Sequence, residues 1–403
     1  MTQADVIVAG GGSAGIAAAL TAARAGAHTL LIERGNRPGG MGSLARVHTF
    51  CGLFHPDVSR PWAWLNPGIP EEIGRHMMER TGQTAPDLMG RVYVLRQSPE
   101  LFASLAAELC ARESSLNCHH GVAWTGLLRT ETGWELDLEE AGKRRRVACR
   151  ALIDTTGDAT GARLMNPAWL QPRPARLYRP ACIASLTSVG GRRDDSWHLS
   201  MAAMLAHAVR QGELPNAALG TAFRNATVNA EMFVTVDLDA GGTAWDPLDA
   251  QHHAAVLQEG RAIIQSLWQW LRANHPDFAD CPPPSHAEEL GVREGSCYSG
   301  DHLLGGDDLA SCRRFPDEVA LAGWPMEKRE DARGPKFRYF DRPEPAGIPA
   351  GCLRRQDAPG LFFAGRCLSA DHEALASVRV MGTCLATGQA AGRMASAWVA
   401  QSP

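Results

Sequence analysis

Apolar residues near the N-terminus fall in short blocks that match the periods of strands and helices. Residues 6–9 form a branched apolar run, which is typical of a strand buried on both faces of a parallel sheet. An alanine-rich stretch, residues 13–25, follows and stops at Gly26, which predicts a helix with a glycine cap. Residues 29–32 then predict a second strand. The chain therefore starts with a predicted β-α-β unit.

Similar blocks return farther along the chain. In residues 121–162 apolar and polar residues alternate, which predicts several strands joined by turns near 131–133 and 141–142. The same region includes the apolar run 151–153. Residues 361–364 predict another buried strand, and a helix of small residues starts near Thr383. Between these regions the pattern predicts a strand within residues 231–241 and a helix over residues 249–278.

Three glycines occupy the turn between the first predicted strand and helix. Gly10, Gly12 and Gly15 have the spacing in which one glycine permits a tight turn, one lets the backbone approach a diphosphate, and one allows close helix–strand packing. The helix N-terminus favours the negative charge of the diphosphate. Glu33, at the end of the second strand, is placed to accept hydrogen bonds from an adenosine ribose. The unit therefore predicts a dinucleotide cofactor.

The continuation of the chain favours FAD over NAD. A second glycine-rich, partly basic loop, "RGNRPGGMGSLA" (residues 34–45), suits a cofactor that extends beyond the first β-α-β unit. The chain has no second GxGxxG between a strand and a helix, so we expect no NAD(P)H domain of its own. The absence of CxxxxC and CxxC also counts against a pyridine-nucleotide disulfide reductase.

Composition narrows the possible partners. Lys plus Arg number 40 and Asp plus Glu number 44, a net charge of −4 that gives no reason to expect a nucleic acid. The 11 cysteines show no metal-ligand spacing, so we expect no metal, and they suit a reducing cytoplasm. No apolar stretch approaches the roughly 20 residues of a membrane-spanning helix. We therefore predict a cytoplasmic protein without a membrane span.

Three stretches resemble blocks of a known family: "GGMGSLARVHTFCGLF", "LGVREGSCYSGDHLLGGDDL" and "LFFAGRCLSADHEALASVRVMGTCLATGQAAG". They are similar to FAD-dependent oxidoreductases with a glutathione-reductase-type FAD-binding fold, one dinucleotide-binding domain and an inserted substrate domain. The resemblance implies an α/β fold: a Rossmann-like FAD-binding domain with a parallel sheet and a β-meander, formed by residues 1–163 and 350–403. Residues 164–349 would form an inserted α+β substrate or cap domain.

The resemblance also implies which residues hold FAD. The diphosphate would lie at Gly10, Gly12, Ser13, Ala14 and Gly15; the adenosine at Glu33, Arg34 and Val122; the ribityl and flavin portions at Gly40, Met41 and Ser43; and Thr156, Gly157, Gly365, Arg366, Gly382 and Thr383 would complete the pocket. Many relatives of this fold carry an acid where this chain has Arg366, which leaves the groups that hold the ribityl hydroxyls open. The helix that starts near Thr383 would direct its N-terminus at the flavin, where helix-end N–H groups stabilise the negative charge of the reduced ring.

The favoured chemistry is hydride transfer from a small organic substrate to the flavin, which requires a base for the accompanying proton. Candidates for catalytic roles in the flavin-proximal blocks are His48, Cys51, His372, Glu373 and Arg379. Arg379 could bind a substrate carboxylate or stabilise a developing anion. Arg293 lies in a matching block without an assigned role.

We therefore predict an FAD-dependent dehydrogenase or oxidase, with oxygen, a quinone or a carrier protein as electron acceptor. One alternative is a flavin monooxygenase that uses NAD(P)H or a separate reductase. The other is a non-catalytic flavoprotein subunit for electron transfer.

Overall fold

The computed structural model describes residues 2–191, 194–226, 231–331 and 333–401. Its strands are β1 (Thr2–Ala9), β2 (Thr29–Glu33), β3 (Thr49–Phe50), β4 (Asp87–Met89), β5 (Val92–Arg96), β6 (Leu116–His120), β7 (Val122–Arg129), β8 (Trp134–Glu140), β9 (Lys143–Asp154), β10 (Ala181–Leu186), β11 (Ala222–Asn225), β12 (Met232–Asp237), β13 (Ser285–His286), β14 (Glu318–Ala322), β15 (Met326–Lys328), β16 (Lys336–Arg338), β17 (Ala346–Pro349) and β18 (Leu361–Phe363). Its α-helices are α1 (Ser13–Arg24), α2 (Ile69–Thr81), α3 (Pro99–Arg112), α4 (Thr160–Met165), α5 (Asp195–Arg210), α6 (Ala250–Asn274), α7 (Gly306–Ala310), α8 (His372–Val378) and α9 (Met381–Gln401).

The main sheet combines a parallel part with an antiparallel meander. Strands β6, β2, β1, β9 and β18 are neighbours in that order and all pair in parallel. The long strand β9 also pairs antiparallel with β8 through its first residues, and β8 pairs antiparallel with β7. Ala141 and Gly142 form the β8–β9 turn with φ of 47° and 76°, the positive values that two-residue hairpin turns require. The α/β class and the Rossmann-like sheet with a β-meander are confirmed.

Helices α1 and α9 pack on the main sheet with their backbones in direct contact. A Cβ on Gly388 would lie 2.0 Å from the carbonyl oxygen of Ala14, and one on Gly392 would lie 2.6 Å from that of Ala18. Only glycine fits at such distances. The last helix of the chain is therefore fixed against the first, and its N-terminal end lies near the β1–α1 turn.

A second, antiparallel sheet has the order β11-β12-β10-β13. The side chains of β12 alternate: Met232, Val234 and Val236 are buried in a core that includes residues of α5 and α6. Phe233, on the opposite face, instead packs in a cluster with Val47, which belongs to the N-terminal part of the chain. The outer face of this sheet is therefore turned towards the loop that follows residue 40.

Helix α6 is shorter than the sequence pattern predicts. It starts after Asp249, whose carboxylate accepts hydrogen bonds from the backbone N–H groups of Gln251 and His252. It ends at Asn274 because His275 precedes Pro276 and is extended, with φ of −136° and ψ of 123°. The residues after Pro276 continue as a short 3₁₀ turn.

Two buried clusters divide the region between α4 and β18. Residues of β10, β12, α5 and α6 share one core, whereas Ala320 of β14, Met326 of β15 and Ile348 of β17 share the core of α1 and α9. The boundaries at residues 163/164 and 349/350 stay predictions. None of the helices in the described ranges combines the length and apolarity that a bilayer crossing requires.

We predict that Gly388→Ala loosens the contact between α1 and α9. The added Cβ would collide with backbone, which cannot rotate away, so we expect a loss of roughly 1–3 kcal/mol in the free energy of unfolding. Urea unfolding measures this change. Arg393→Ala, on the exposed side of the same helix, is the control and should leave stability unchanged. Equal stability of the Gly388→Ala variant and the wild type would contradict the packing described here.

Candidate functional site

The β1–α1 turn is closely packed at its base and open at its tip. A Cβ on Gly15 would lie 1.7 Å from the carbonyl oxygen of Gly10, and one on Gly10 would lie 2.6 Å from that of Thr155. A Cβ on Gly12, by contrast, would meet nothing within 4 Å. Ser13 and Ala14 follow as the first two residues of α1. The turn therefore leaves open space at the N-terminus of a 12-residue helix, where an anion can approach free N–H groups.

Glu33 lies beside this turn at the end of β2. Its Oε2 accepts a hydrogen bond from Gly11 N, and its Oε1 accepts one from Gly35 N at 2.6 Å. Gly121 N donates to Gly35 O at 2.9 Å, which brings the buried Val122 to the same end of the sheet. Arg34 is exposed. Glu33 and Val122, which the resemblance assigns to the adenosine, thus come together.

The loop after residue 38 contacts the open side of the β1–α1 turn. Gly39 N donates to Gly11 O at 2.8 Å, and a Cβ on Gly40 would lie 2.9 Å from Gly12 Cα. Met41 is half-buried and accepts a hydrogen bond from Val47 N. The Ser43 hydroxyl donates to Pro38 O at 2.8 Å, so it stabilises its own loop.

The C-terminal residues reach the same region. A Cβ on Gly365 would lie 2.9 Å from Ala14 Cβ, and Gly382 N donates to Cys51 O at 2.9 Å. Thr383, in the first turn of α9, is fully buried, and its Oγ1 has no hydrogen-bond partner within the described part of the chain. A buried hydroxyl of this kind fits a polar ligand atom.

Arg366 is engaged by the protein itself. Its Nε donates to Gly157 O at 2.9 Å, its Nη1 to Val292 O at 2.6 Å, and its Nη2 to Asp158 Oδ1 at 3.2 Å. Thr156 is also held locally, because its hydroxyl donates to Asp154 Oδ1 at 2.7 Å. Arg366 therefore ties the residues after β18 to the turn after β9.

His372, the first residue of α8, forms a hydrogen bond with a buried carboxylate. Its Nδ1 lies 2.7 Å from Glu294 Oε1, and the Glu294 residue is only 2% exposed. The imidazole stacks on the ring of Tyr178, with centroids 4.1 Å apart. Tyr178 N donates to Glu294 Oε2 at 2.8 Å, and the Tyr178 hydroxyl donates to His372 O at 3.0 Å. The three residues form one rigid unit.

Glu373, the next residue, has a different environment. Its carboxylate forms ion pairs with Lys328 and with Arg338, the latter at 2.7 Å. Burial opposes ionisation of Glu373, but these two cations outweigh it and lower its pKa. A carboxylate stabilised in this way is a poor proton acceptor.

His48 and Cys51, the two catalytic candidates in the loop after residue 40, are both kept uncharged by their surroundings. His48 stacks on Phe233, with centroids 4.4 Å apart, and its Nδ1 lies 3.1 Å from Arg46 O. Burial lowers the pKa of His48 to about 4. Burial raises the pKa of the Cys51 thiol well above its usual value, and Glu327 raises it further. Near neutral pH, His48 is therefore uncharged and Cys51 is protonated.

Charged side chains of β12, β15 and the adjoining segments form a network of ion pairs. Asp237 binds Arg293 at 2.7 Å and Arg329 at 2.9 Å, and Arg329 also binds Glu327 at 2.6 Å. Arg379 lies beside this network: its Nη2 donates to Glu327 O at 2.9 Å. Arg293, which had no role in the sequence, is thus part of a buried ion-pair network.

Sequence reasoning missed Glu294, Tyr178 and Asp237. Glu294 follows Arg293 in one of the matching blocks, so the sequence could have indicated it as a candidate site residue. Tyr178 and Asp237 lie outside the quoted blocks, and only the tertiary structure brings them to α8 and to Arg293.

A family model described as FAD dependent oxidoreductase matches residues 5–402, so the chain belongs to this family. The protein is therefore a flavoenzyme, and FAD is its cofactor. None of the curated proteins compared with the chain matches it significantly.

Solved structures with overall similarity to this chain include the following three proteins. A geranylgeranyl bacteriochlorophyll reductase-like protein from Thermoplasma acidophilum is 13% identical, with a TM-score of 0.47 over 98% of this chain and 79% of that one. The anhydrotetracycline hydroxylase of Streptomyces rimosus is 14% identical, with a TM-score of 0.46 over 99% and 63%. The p-nitrophenol 4-monooxygenase of Pseudomonas putida is 11% identical, with a TM-score of 0.43 over 99% and 80%. This chain spans less than two thirds of the hydroxylase, and scores this low assign no reaction.

The residues at the site fit FAD in two respects. The open space at Gly12 suits a diphosphate at the N-terminus of α1, and the unpartnered Thr383 hydroxyl suits a polar atom of the flavin end.

We predict that Gly12→Ala weakens FAD binding without disturbing the fold. The backbone at Gly12 has φ of −74° and ψ of −174°, which alanine adopts without strain, but the new methyl group would enter the open space. Titration of the FAD-free protein with FAD should show at least about tenfold weaker binding, with an unchanged melting temperature for the FAD-free form. Gly190→Ala, at an exposed position with ordinary contact distances, is the control. Unchanged FAD affinity in the Gly12→Ala variant would refute this assignment.

We predict that His48 makes the protein less stable in acid. Its pKa is lowered to about 4 in the folded protein from 6.5, so the unfolded chain takes up a proton first as the pH falls. The contribution to stability is complete above about pH 6.5 and is lost between about pH 6.5 and pH 4. His48→Phe keeps the aromatic stacking on Phe233 but cannot take up a proton. The decrease in the free energy of unfolding from about pH 7 to about pH 4.5 should therefore be roughly 1–3 kcal/mol smaller in this variant than in the wild type, as measured by urea unfolding. An exposed-site control, His28→Gln, should retain the wild-type dependence.

Proposed function

We propose that this flavoenzyme is a dehydrogenase or oxidase that removes a hydride and a proton from a small organic substrate. The observation that carries the proposal is the hydrogen bond between the buried Glu294 and Nδ1 of His372. When bound, FAD supplies the hydride acceptor of such a reaction. The protein must supply the group that removes the accompanying proton.

His372 is the side chain best suited to remove that proton. With Glu294 as the acceptor, Nδ1 of His372 would carry the hydrogen of this contact. Nε2 then has a free lone pair, and it has no partner among the described residues. Stacking on Tyr178 fixes the orientation of the ring. Glu294 thus acts as a positioning residue that holds the basic tautomer and stabilises the imidazolium that forms.

The other candidates are less suited to this role. The Glu373 carboxylate is engaged by two cations, and Cys51 holds its proton. His48 has a pKa of about 4, which makes it a weak base. We therefore assign proton removal to His372 and assign His48 and Cys51 to the wall of the substrate space.

For the cofactor we propose the glutathione-reductase type of binding. Gly10, Gly12, Ser13, Ala14 and Gly15 would surround the diphosphate, and Glu33 with Val122 the adenosine. The flavin end would lie along Gly40 and Met41 towards Gly382 and Thr383, and the free Thr383 hydroxyl suits a carbonyl edge. The convergence of these segments supports this assignment. The structure favours structural roles for Ser43, Thr156, Gly157 and Arg366, because they form hydrogen bonds within the protein, and Arg34 is exposed.

The proposed function is tested by mixing the FAD-loaded protein anaerobically with a panel of metabolites while its flavin absorbance is followed. At least one reduced metabolite should bleach the flavin without NAD(P)H. Rapid bleaching by NADPH in the absence of any substrate would instead favour a monooxygenase and overturn the proposal. The electron acceptor and a cytoplasmic location stay predictions.

We predict that His372→Gln slows this bleaching by about 10²–10⁴-fold and leaves FAD occupancy unchanged. Glu294→Gln should slow it less and should shift its pH profile, because the imidazolium loses its carboxylate partner. His76→Gln, at a partly exposed position on α2, is the matched control. A wild-type rate in the His372→Gln variant would remove His372 as the base.

A further inference from the structure

The outer face of the second sheet contributes Asp237 to a buried ion-pair network. Asp237 and Glu327 neutralise Arg293 and Arg329 through ion pairs of 2.6–2.9 Å. Each of these four side chains has a charged partner, so the network is complete in itself. An additional arginine beside it therefore lacks a carboxylate from this network.

Arg379 is such an arginine. Within the described ranges no carboxylate forms an ion pair with it, and its only hydrogen bond is from Nη2 to the backbone oxygen of Glu327 at 2.9 Å. Its Nε is buried without any partner. Burial and then the charge of Arg293 lower the pKa of Arg379 to about 10, although Glu327 and Glu294 act to raise it. The side chain is partly exposed, and a guanidinium without a paired carboxylate is stabilised by a ligand that supplies the opposite charge.

Arg224 is a second arginine without a carboxylate partner in the described part of the chain. It lies on β11 directly opposite Phe233 of β12, so both side chains are on the outer face of the sheet. Phe233 stacks on His48. Nη1 of Arg224 donates only to the neighbouring Phe223 O, at 3.0 Å, and the residue is exposed. Burial and Glu327 raise the pKa of Cys51, whereas Arg224 and Arg379 both act to lower it.

Tyr178 connects this positive region to the proposed base. The Arg379 guanidinium lies over the Tyr178 ring, 5.1 Å from its centroid, and the His372 imidazole stacks on the same ring. Gly382, at the start of α9, is bonded to Cys51 O. Arg379 and the His372 imidazole therefore share the Tyr178 ring, and Arg379 lies two residues before α9 begins.

We propose that Arg379 and Arg224 bind the anionic group of the substrate, so that the substrate is an organic carboxylate. This inference rests on the proposed function, because it names the substrate class of the same site. A carboxylate would supply the missing counter-charge and could accept two hydrogen bonds from a planar guanidinium. Its attached carbon would then lie on the side of His372.

Substitutions of Arg379 and Arg329 should have opposite effects on the melting temperature. Arg379→Gln removes an unpaired cation, so the melting temperature of the ligand-free protein should stay equal or rise. Arg329→Gln leaves Asp237 and Glu327 without their shared partner, so the melting temperature should fall. A clear fall in the Arg379→Gln variant would mean that Arg379 has a structural role and would overturn its assignment.

The binding test uses calorimetry on the oxidised, FAD-loaded protein with acetate and benzoate as probes, each compared with its amide. At least one carboxylate should bind, its amide should bind at least about tenfold more weakly, and chloride should compete. Arg379→Gln and Arg224→Gln should each weaken carboxylate binding by about ten- to hundredfold, whereas the surface control Arg75→Gln should not.

Three results would overturn the proposal: no binding of either carboxylate, equal binding of the amides, or unchanged binding in both arginine variants. These measurements need no turnover. A protein that binds carboxylates through these arginines but is bleached by no metabolite would keep this inference and lose the proposed oxidation. A protein that is bleached by neutral metabolites only and binds no carboxylate would keep the proposed oxidation and lose this inference.

Discussion

The contact between the first and last helices is the constraint on which the site depends. Gly388 and Gly392 allow α9 to lie against the carbonyl groups of α1 without an intervening side chain. Because the two helices are this close, the first turn of α9 lies near the β1–α1 turn and the loop around Cys51. Segments separated by more than three hundred residues thus border the same space. A larger residue at either glycine would collide with the backbone of α1.

The second sheet completes the site by presenting a polar face instead of an apolar one. Its inner face is filled by the aliphatic residues of β12 that pack on α5 and α6. On the other face, Asp237 fixes two arginines, and Phe233 stacks on His48. A buried face with this composition is stable only if its charges are paired. Within the described part of the chain, Arg379 has no paired carboxylate, and its guanidinium lies over Tyr178 beside the proposed base.

Neighbours in the sequence can have opposite roles, as His372 and Glu373 illustrate. Both are titratable residues at the start of α8, and the sequence offered both as catalytic candidates. In the structure Glu373 is held by Lys328 and Arg338, whereas His372 is bound to Glu294 and keeps one ring nitrogen available. The partners come from β15, β16 and the segment before residue 300, so no local pattern could distinguish the two residues. Arg366 is a similar case, because its three acceptors belong to distant turns.

The sequence by itself determined the β-α-β unit, the meander, the glycine turn with Glu33 and hence the cofactor class, because these features depend on local periodicity and on short-range steric limits. Where an element was predicted its type followed from spacing, and the end of α6 differed where Pro276 acts on the residue before it, whereas α2, α3 and α5 were not predicted. The tertiary structure alone decided which acids and arginines neutralise each other and which histidine keeps a free nitrogen. Charge pairing depends on distances of a few ångströms between residues far apart in the chain, and such distances exist only after the sheets and helices have packed.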